Sequence, residues 1–564
     1  MDTIITTTNF LLLITLIIVN VSFVHGGGPT VTDACAQTPN PDLCNQLTAV
    51  VDTQAPDLRR LSIMDAMKHA MEAHRQLLTI ISSSSNFVHN SLDERQHLRA
   101  EATSAWYDCA ELYEEALGHL NRSLGSSTSD SQTWLSAALA NRQTCRDGFL
   151  DLNLTTTTSL PRVMDDFSRS LRNSLAINAA AGGGGGGGRK LLSAAAAGGG
   201  GGARSSTPPH PVFPWWVAKS DRQLLEARPA DVGPKAHLVV AQDGSGDYST
   251  ISEAVAASAE MRRGRVAHGH GRRRFVIYVK RGIYRESVEI KKSMNNIMLI
   301  GDGIDATIVS NCKNVRDGFT TYRSATFAVS GHGFIAKGMT FENTAGPKKH
   351  QAVALRSSSD LSVFYRCSFK GYQDTLYLHS MRQFYRDCDI YGTVDFIFGD
   401  AAAVLQGCNI YVRRPLPRQK ATVTAQGRSD PNENTGIVIQ ASRVMMASAD
   451  ELAAGGAPQP RGSVEAYLGR PWRRFSRTVV MQSEVGGIVN PAGWLPWSGD
   501  FALSTLYYAE FMNKGIGGKT EGRVTWPGFH VIRSFREARK FTVGNFFDGD
   551  AWIPATGVPF DSGL

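Results

Sequence analysis

The sequence predicts two domains, a four-helix bundle followed by an all-β domain built as a parallel β-helix. Helical periodicity across residues 35–178 and short β-branched and aromatic runs from Leu238 onward predict these two classes. Between them, the stretch from Ala179 to Ala203 consists largely of glycine and alanine, which is typical of a flexible linker. With 564 residues the chain is long enough for each domain to have its own core.

The chain begins with an apolar segment. The run from Phe10 to Val24 is shorter than the roughly 20 residues that a spanning helix needs, and small residues follow it at Gly26 to Gly28. We interpret residues 1–27 as a secretory signal peptide, with an uncleaved membrane anchor as the alternative because no Lys or Arg precedes the run. Eight cysteines and the Asn-x-Ser/Thr sites at Asn121 and Asn153 are typical of an exported glycoprotein.

Residues 28–178 are predicted to form the helical domain. Four stretches place apolar residues on one face, and short connections between them favour a bundle. Cys35 and Cys44 are spaced to close a small loop, and Cys109 with Cys145 is spaced to link two antiparallel helices.

The linker, residues 179–235, contains the motif Arg189-Lys190-Leu191-Leu192 and a related Arg222-Gln223-Leu224-Leu225. Basic residues before Leu-Leu in an exposed segment are accessible to a processing protease.

The charge also changes across the linker. Residues 231–564 carry 41 Lys and Arg against 30 Asp and Glu, a net of +11, whereas residues 1–230 carry 18 against 21, a net of −3. A basic domain favours polyanions; in an exported protein we expect an acidic polysaccharide and no nucleic acid.

A repeat near 20 residues predicts the β-helix. The segments RCSFKGY, DCDIYGT and GCNIYVR align Cys367, Cys388 and Cys408 in one column, at spacings of 21 and 20 residues. Such a period in a strand-rich region indicates stacked coils, each pairing its strands with the next. Asp374 and Asp395 each follow their cysteine by seven residues, so they are predicted to be neighbours on coils about 4.8 Å apart.

Two neighbouring carboxylates in apolar surroundings predict catalysis. Repulsion and partial burial separate their proton affinities, so one stays charged and attacks while the other donates a proton. A structural stack or a calcium site is the alternative, but calcium usually takes six or more oxygen ligands and no further acid is nearby in sequence. Gln351 and Gln373 are candidate oxyanion donors. Arg470 is a candidate cation for one carboxylate, and Trp472 beside it for a sugar ring.

These residues resemble the plant pectin methylesterases. The segments GSGDYSTISEAV, GFTTYRSATF, QAVALR, GYQDTLY, YGTVDFIFG and LGRPW occur in the family's order within residues 236–564. The N-terminal domain, with its cysteine spacing, is similar to the family's inhibitor-like pro-region. The resemblance implies a right-handed parallel β-helix preceded by an inhibitor-like four-helix bundle. It also implies demethylesterification of cell-wall homogalacturonan to pectate and methanol, with no cofactor and no metal.

The resemblance implies a role for each matched residue. Asp395 is the expected nucleophile and Asp374 the proton donor that later acts as base. Gln351 and Gln373 are expected to stabilise the transition state, and Arg470 to keep Asp395 ionised. The expected substrate-contact residues are Thr321, Gln351, Arg470, Trp472 and Trp494. A disulfide between Cys388 and Cys408 is implied as well. Tyr322 departs from the family pattern, which usually has Phe there.

The resemblance further implies partners and a location. We expect secretion to the cell wall, cleavage by a subtilisin-like protease at Arg-Lys-Leu-Leu, a monomeric mature enzyme, and inhibition by its own or a separate inhibitor bundle. Two other classes stay open. Paired carboxylates on a β-helix also cleave glycosidic bonds, and the N-terminal domain is compatible with a non-enzymatic, inhibitory or wall-binding protein. The intact catalytic set argues against the second.

Overall fold

The structure, a computed structural model, describes residues 35–49, 57–85, 94–154, 161–182, 233–267, 274–448 and 464–564. The predicted signal peptide, both Leu-Leu motifs and most of the predicted linker lie outside these ranges. Within the described ranges, no helix is both long and apolar enough to cross a membrane.

The N-terminal domain is the predicted helical bundle. Its helices are α1 Pro41–Ala49, α2 Leu58–Ser85, α3 Glu94–Ser123, α4 Thr128–Asp151 and α5 Val163–Gly182. The last helix continues past the predicted boundary at residue 178, because the alanines that begin the linker are strong helix formers. Both expected disulfides are formed, and the one between Cys109 and Cys145 joins α3 to α4. Asn121 and Asn153, the predicted glycosylation sites, are exposed.

The C-terminal domain is a parallel β-helix with three sheets. Strands that are three apart in sequence pair in parallel, so each coil adds one strand to each sheet. The eleven-stranded sheet runs β1-β2-β5-β8-β11-β14-β17-β20-β23-β25-β26, the eight-stranded sheet β24-β21-β18-β15-β12-β9-β6-β3, and the seven-stranded sheet β22-β19-β16-β13-β10-β7-β4. The strands are β1 Leu238–Val240, β2 Phe275–Val279, β3 Gly282–Arg285, β4 Val288–Ile290, β5 Ile297–Gly301, β6 Thr307–Asn311, β7 Phe327–Val329, β8 Ile335–Lys337, β9 Thr340–Asn343, β10 Leu355–Ser357, β11 Ser362–Tyr365, β12 Ser368–Lys370, β13 Leu376–Leu378, β14 Arg382–Arg386, β15 Asp389–Gly392, β16 Ile397–Gly399, β17 Ala402–Gln406, β18 Asn409–Val412, β19 Ala421–Gln426, β20 Gly436–Gln440, β21 Arg443–Met446, β22 Ala466–Gly469, β23 Arg477–Met481, β24 Glu484–Val485, β25 Tyr507–Phe511 and β26 Phe529–Val531.

Helices cover parts of the β-helix surface. Helix α6, Ile251–Ala267, packs near its N-terminal strands. Three short helices near the C-terminus, α7 Phe535–Ala538, α8 Val543–Phe546 and α9 Gly549–Trp552, contribute to an apolar cluster on the outer face of the eleven-stranded sheet.

The predicted register is confirmed. In the seven-stranded sheet Leu355 pairs with Leu376 and Leu376 with Ile397, a step of 21 residues each time. Inside the coils, aromatic side chains stack from one coil to the next, as Phe364 and Tyr385 do with ring centroids 4.8 Å apart. Gly399 permits close packing of two coils, since its φ is 125° and a Cβ there would lie 2.0 Å from the carbonyl oxygen of Leu378.

The cysteine column is present, but the disulfide implied between Cys388 and Cys408 is not formed. Both residues are free, buried thiols. Their side chains point into the core side by side, and each sulfur contacts backbone carbonyls: Cys388 Sγ lies 3.3 Å from Phe364 O, and Cys408 Sγ lies 3.7 Å from Tyr385 O. The coil spacing is within disulfide range, so the register alone permitted a bond that this packing does not make.

The bundle packs on the outer face of the seven-stranded sheet. One apolar cluster contains core residues of the bundle together with residues of the β-helix. Its β-helix members are Tyr322, Ala325, Ala328, Val353, Tyr377, Phe398 and Ala425. Ion pairs surround this cluster: Lys292 with Glu114, Arg323 with Asp108 and Glu111, Arg382 with Asp130, Arg473 with Asp147, and Asp430 with Arg172.

Candidate active site

Asp374 and Asp395 lie on successive coils, immediately before strands β13 and β16. Because Leu376 pairs with Ile397, the two aspartates occupy the same column. Both have left-handed backbone conformations, with φ of 62° and 52°, in a region that few non-glycine residues adopt. Backbone bonds hold them there: Asp374 N–H donates to Val394 O at 3.1 Å, and Asp395 N–H donates to Thr422 Oγ1 at 2.8 Å. Such strained positions, fixed by the surrounding fold, are common at functional sites.

The two carboxyl groups have different surroundings. Asp395 is paired in bidentate fashion with Arg470, whose Nε lies 2.8 Å from Oδ1 and whose Nη2 lies 2.6 Å from Oδ2. The hydroxyl of Thr422 donates to the same Oδ1 at 2.6 Å. These contacts stabilise a charged carboxylate. For Asp374, burial raises the pKa well above its ordinary value, the nearby Asp395 raises it further, and Arg470 opposes the shift. The site therefore favours one charged and one protonated carboxyl group.

A cavity of about 210 Å³ lies over these two groups. It contains the side chains that the sequence predicted for the site, Gln351, Gln373, Thr321, Arg470 and Trp472. The β-helix residues that line it are Thr321, Tyr322, Gln351, Gln373, Asp374, Tyr377, Asp395, Phe398, Ala425, Arg470, Trp472 and Trp497. Amide donors, a protonated acid, a paired carboxylate and aromatic walls are thus assembled in one place.

The prediction that Trp494 lines this groove is wrong. Trp494 is 1% exposed and belongs to the core, where its ring stacks on Tyr508 at 4.3 Å and its indole N–H donates to Glu510 Oε1 at 3.2 Å. Trp497, three residues later, lines the cavity instead, with the Arg470 guanidinium 4.4 Å from its ring centroid. The segment GWLPW offers two tryptophans, and only packing decides which of them faces the groove.

Tyr377 and Phe398 form an aromatic floor that sequence reasoning did not assign. They are register partners in β13 and β16, and their rings stack at 4.2 Å. The same column argument that paired the aspartates pairs these residues, three positions further on, so the signal was present in the repeat. Tyr322, where the family usually has Phe, also lines the cavity; its ring lies 3.5 Å from the guanidinium of Arg356.

The remaining wall of the cavity comes from helix α4 of the bundle, which contributes Thr144, Asp147, Gly148 and Asp151. Asp151 Oδ2 accepts a hydrogen bond from the backbone N–H of Thr321 at 2.9 Å. Burial raises the pKa of Asp151 to about 6, against the effect of that hydrogen bond. The bundle thus places a third carboxyl group beside the two aspartates.

A parallel β-helix with a carboxylate pair, amide donors and an aromatic groove on one outer sheet is suited to hydrolysis of a carbohydrate ester or a glycosidic bond. Comparison with known proteins specifies the family. The model for Pectinesterase matches residues 237–550, and the model for Plant invertase/pectin methylesterase inhibitor matches residues 29–177. The chain belongs to the pectinesterase family and carries an inhibitor-family domain at its N-terminus.

Individual relatives agree. The chain is 51% identical to "Probable pectinesterase/pectinesterase inhibitor 6" of Arabidopsis thaliana, over 98% of this chain and 97% of that protein. It is 46% identical to "Pectinesterase 2" of Citrus sinensis, over 94% of each. Among solved structures, the pectin methylesterase from carrot matches with a TM-score of 0.54 and 55% identity, over 58% of this chain and 98% of the carrot chain. The carrot chain therefore corresponds in extent to the β-helix domain alone.

Proposed function

We propose that the β-helix domain demethylesterifies homogalacturonan through an acyl-enzyme intermediate, with Asp395 as nucleophile and Asp374 as acid and base. The observation that carries this assignment is the contrast between the two carboxyl groups. Asp395 is held charged by Arg470, whereas burial beside Asp395 raises the pKa of Asp374. A nucleophile must be charged and a proton donor must be protonated before reaction.

The first step forms the acyl-enzyme. A carboxylate oxygen of Asp395 attacks the methyl-ester carbonyl, and the amide N–H groups of Gln351 and Gln373 donate to the oxyanion of the tetrahedral intermediate. As the C–O bond to the methoxy group breaks, Asp374 donates its proton and methanol leaves.

The second step reverses these roles. Asp374, now a carboxylate, removes a proton from water, which attacks the acyl carbon and releases the Asp395 carboxylate together with a galacturonic acid unit. That acid then loses its proton to the solvent. Each turnover consumes one ester and one water, and Asp374 ends protonated as it began.

Glycoside hydrolysis is the competing reaction for a carboxylate pair. Two amide side chains beside the pair favour acyl chemistry, because an oxyanion needs donors that an oxocarbenium-like transition state does not. The test is an assay of the linker-cleaved protein on methylesterified homogalacturonan, with methanol and new reducing ends measured in the same sample. We expect methanol without reducing ends. Reducing ends in proportion to turnover would refute the esterase assignment.

We further propose that the bundle inhibits the enzyme until the linker is cut. Four α4 residues wall the cavity, and the bundle core is continuous with the outer face of the seven-stranded sheet, which is where a polysaccharide would lie. We propose that residues 1–27 direct secretion to the cell wall, that a subtilisin-like protease cuts at residues 189–192, and that the mature enzyme acts as a monomer. A separate inhibitor bundle would bind the same face.

The autoinhibition is tested by comparing the intact chain with the same chain after cleavage. A specific protease site is introduced at residues 189–192, and methanol release is measured before and after cutting, at enzyme concentrations low enough for the parts to separate. We expect little activity before cutting and a large gain after it. Equal activities would exclude inhibition by the bundle.

A further inference from the structure

Two arginines lie on opposite sides of the reaction centre. Arg323 is in the turn before β7, and Arg473 follows β22. In the seven-stranded sheet the order β22-β19-β16-β13-β10-β7 places β13 and β16, which carry the two aspartates, between them. A polymer that crosses the site along this sheet would meet one arginine before the reacting unit and one after it.

Both arginines are paired with carboxylates that come from the bundle. Arg323 forms ion pairs with Asp108 and Glu111 of α3, and Arg473 with Asp147 of α4. Among the described residues of the β-helix, Glu289 forms an ion pair with Arg323, and its Oε1 lies 3.9 Å from Nη1. Removal of the bundle therefore takes away the close carboxylate partners of both side chains.

A third arginine at the same interface differs. Arg382 pairs with Asp130 of the bundle, but it also holds Asp360 of the β-helix, with Nε 2.9 Å from Oδ1 and Nη2 2.8 Å from Oδ2. It keeps its partner when the bundle leaves. Among the ion pairs of the described residues, Arg473 pairs only with the bundle, and Arg323 has within the β-helix only the longer contact to Glu289.

The bundle carboxylates form a series over the groove. Asp108 and Glu111 lie at Arg323, Asp151 lies at the backbone N–H of Thr321 in the cavity, and Asp147 lies at Arg473. A de-esterified galacturonan chain presents the same chemistry, one carboxylate on each unit. When the bundle leaves, the guanidinium groups that it covered become exposed, and other carboxylates can bind them in place of the bundle carboxylates.

We propose that Arg323 and Arg473 are specificity residues that bind free carboxylates of galacturonate units on either side of the ester being hydrolysed, and that the bundle occupies them with carboxylates that imitate this substrate. The inference rests on the proposed esterase function. It predicts preference for esters next to de-esterified units, and it predicts that fully de-esterified oligogalacturonate competes for the same groove.

The test uses the full chain carrying the introduced protease site, cut and then freed of the bundle in high salt. Variants are Arg323→Gln, Arg473→Gln, their Lys counterparts, and the control Arg443→Gln. Arg443 is an exposed residue of the eight-stranded sheet, paired with Glu484. Substrates are fully methylesterified homogalacturonan and a half-esterified one. The readouts are kcat/KM on each, and inhibition by fully de-esterified oligogalacturonate.

For each Gln variant we expect the preference, kcat/KM on half-esterified over fully esterified substrate, to fall about fivefold, the effect of one partly exposed ion pair. The inhibition constant of oligogalacturonate should rise by a similar factor. The change in preference should appear mainly in KM. The Lys variants should show smaller changes in preference and inhibition constant than the Gln variants because they keep the charge. The control should leave both readouts at the wild-type value.

An unchanged preference and an unchanged inhibition constant in both Gln variants would overturn the inference, leaving the arginines as docking contacts for the bundle. If a Gln variant does not fold, its Lys counterpart is compared with wild type instead. Because Lys keeps the charge but loses the forked geometry, the preference should fall by less than fivefold, and an unchanged preference and inhibition constant in both Lys variants would overturn the inference. A cut wild-type protein that releases no methanol from either substrate would instead refute the proposed function.

Discussion

Replacing Asp151 by Asn tests how the bundle responds to pH. In the docked protein, burial raises the pKa of this carboxyl group from its ordinary value of 3.8 to about 6. Because Asp151 lies against the β-helix, in the cavity and at the Thr321 N–H, we assign this shift to docking. Its charged neighbours on the bundle are Asp147 and Asp108, and Asp151 in turn raises the pKa of Asp374 across the cavity. A group whose pKa is raised on docking binds protons more tightly in the docked form. The ionisation of Asp151 therefore does not reduce the affinity of the bundle below pH 3.8. The affinity falls as the pH rises towards 6, and it stays at this lower value above pH 6.

The magnitude follows from the same two values. At 1.36 kcal/mol per pH unit, the difference corresponds to about 3 kcal/mol, or roughly 150-fold in the dissociation constant at neutral pH. Between pH 4.5 and 7, the ionisation of Asp151 should raise the dissociation constant about 25-fold. Asn keeps an oxygen that accepts the Thr321 N–H bond but cannot ionise. The bundle of Asp151→Asn should therefore bind the β-helix more tightly than the wild-type bundle at pH 7, and the two dissociation constants should converge near pH 4.

The assay is dilution of the cut chain. The total concentration at which half of the methanol-releasing activity appears gives the dissociation constant, measured at each pH relative to the activity of the free catalytic part. Asp165→Asn is the matched control, since Asp165 pairs with Arg142 inside the bundle and its side chain is 77% exposed. Other groups titrate in both proteins and cancel in the ratio. A wild-type to Asp151→Asn ratio that does not change between pH 4.5 and 7 would show that Asp151 does not couple docking to pH.

Three further perturbations test the site and its release. Asp395→Asn and Asp374→Asn should each lose methanol release by at least about a hundredfold while circular dichroism stays that of wild type, because an amide neither attacks nor donates as required; activity retained in either variant, with deamidation excluded by mass spectrometry, would remove that residue from its role. Gln373→Ala should lower kcat by about 10²- to 10³-fold and change KM little, since an oxyanion donor acts in the transition state; a rise in KM alone would make it a substrate-binding residue. Changing Arg189, Lys190 and Arg222 together to Ala should leave the secreted protein at full length and weakly active, and N-terminal sequencing that finds the same mature start as in wild type would rule out these motifs as processing sites.

The repeat made much of the site predictable from sequence. A step of 21 residues between the coils that contain β10, β13 and β16 determines which of their residues are neighbours, so Asp374 and Asp395 could be paired from the sequence alone. Trp494 could not be placed this way, because it pairs with Gly469 in an isolated bridge next to β22, where the step between coils is no longer 21 residues. The Cys388–Cys408 bond could not be decided either, since register fixes the spacing of two thiols but not whether they are bonded.

Docking of the bundle depends on a different kind of information. Hydrogen bonds between the bundle and the β-helix join residues about 170 to 420 positions apart in sequence, and no periodicity links α4 to the seven-stranded sheet. From the sequence alone, the carboxylates of α3 and α4 are expected to lie on solvent-exposed helix faces. Only the three-dimensional arrangement shows that four of them lie over the reaction centre and its two flanking arginines.

The apolar cluster shared by the bundle and the β-helix has a consequence for activation. Cutting the linker breaks one covalent bond and none of these contacts, so the two parts leave the protease still associated. What changes is the molecularity of inhibition. Before the cut, the bundle is held near the groove at a local concentration independent of how much protein is present; afterwards, inhibition depends on the amount of protein in solution. Dilution of the cut protein, or competition by pectate for the groove, then dissociates the bundle and completes activation.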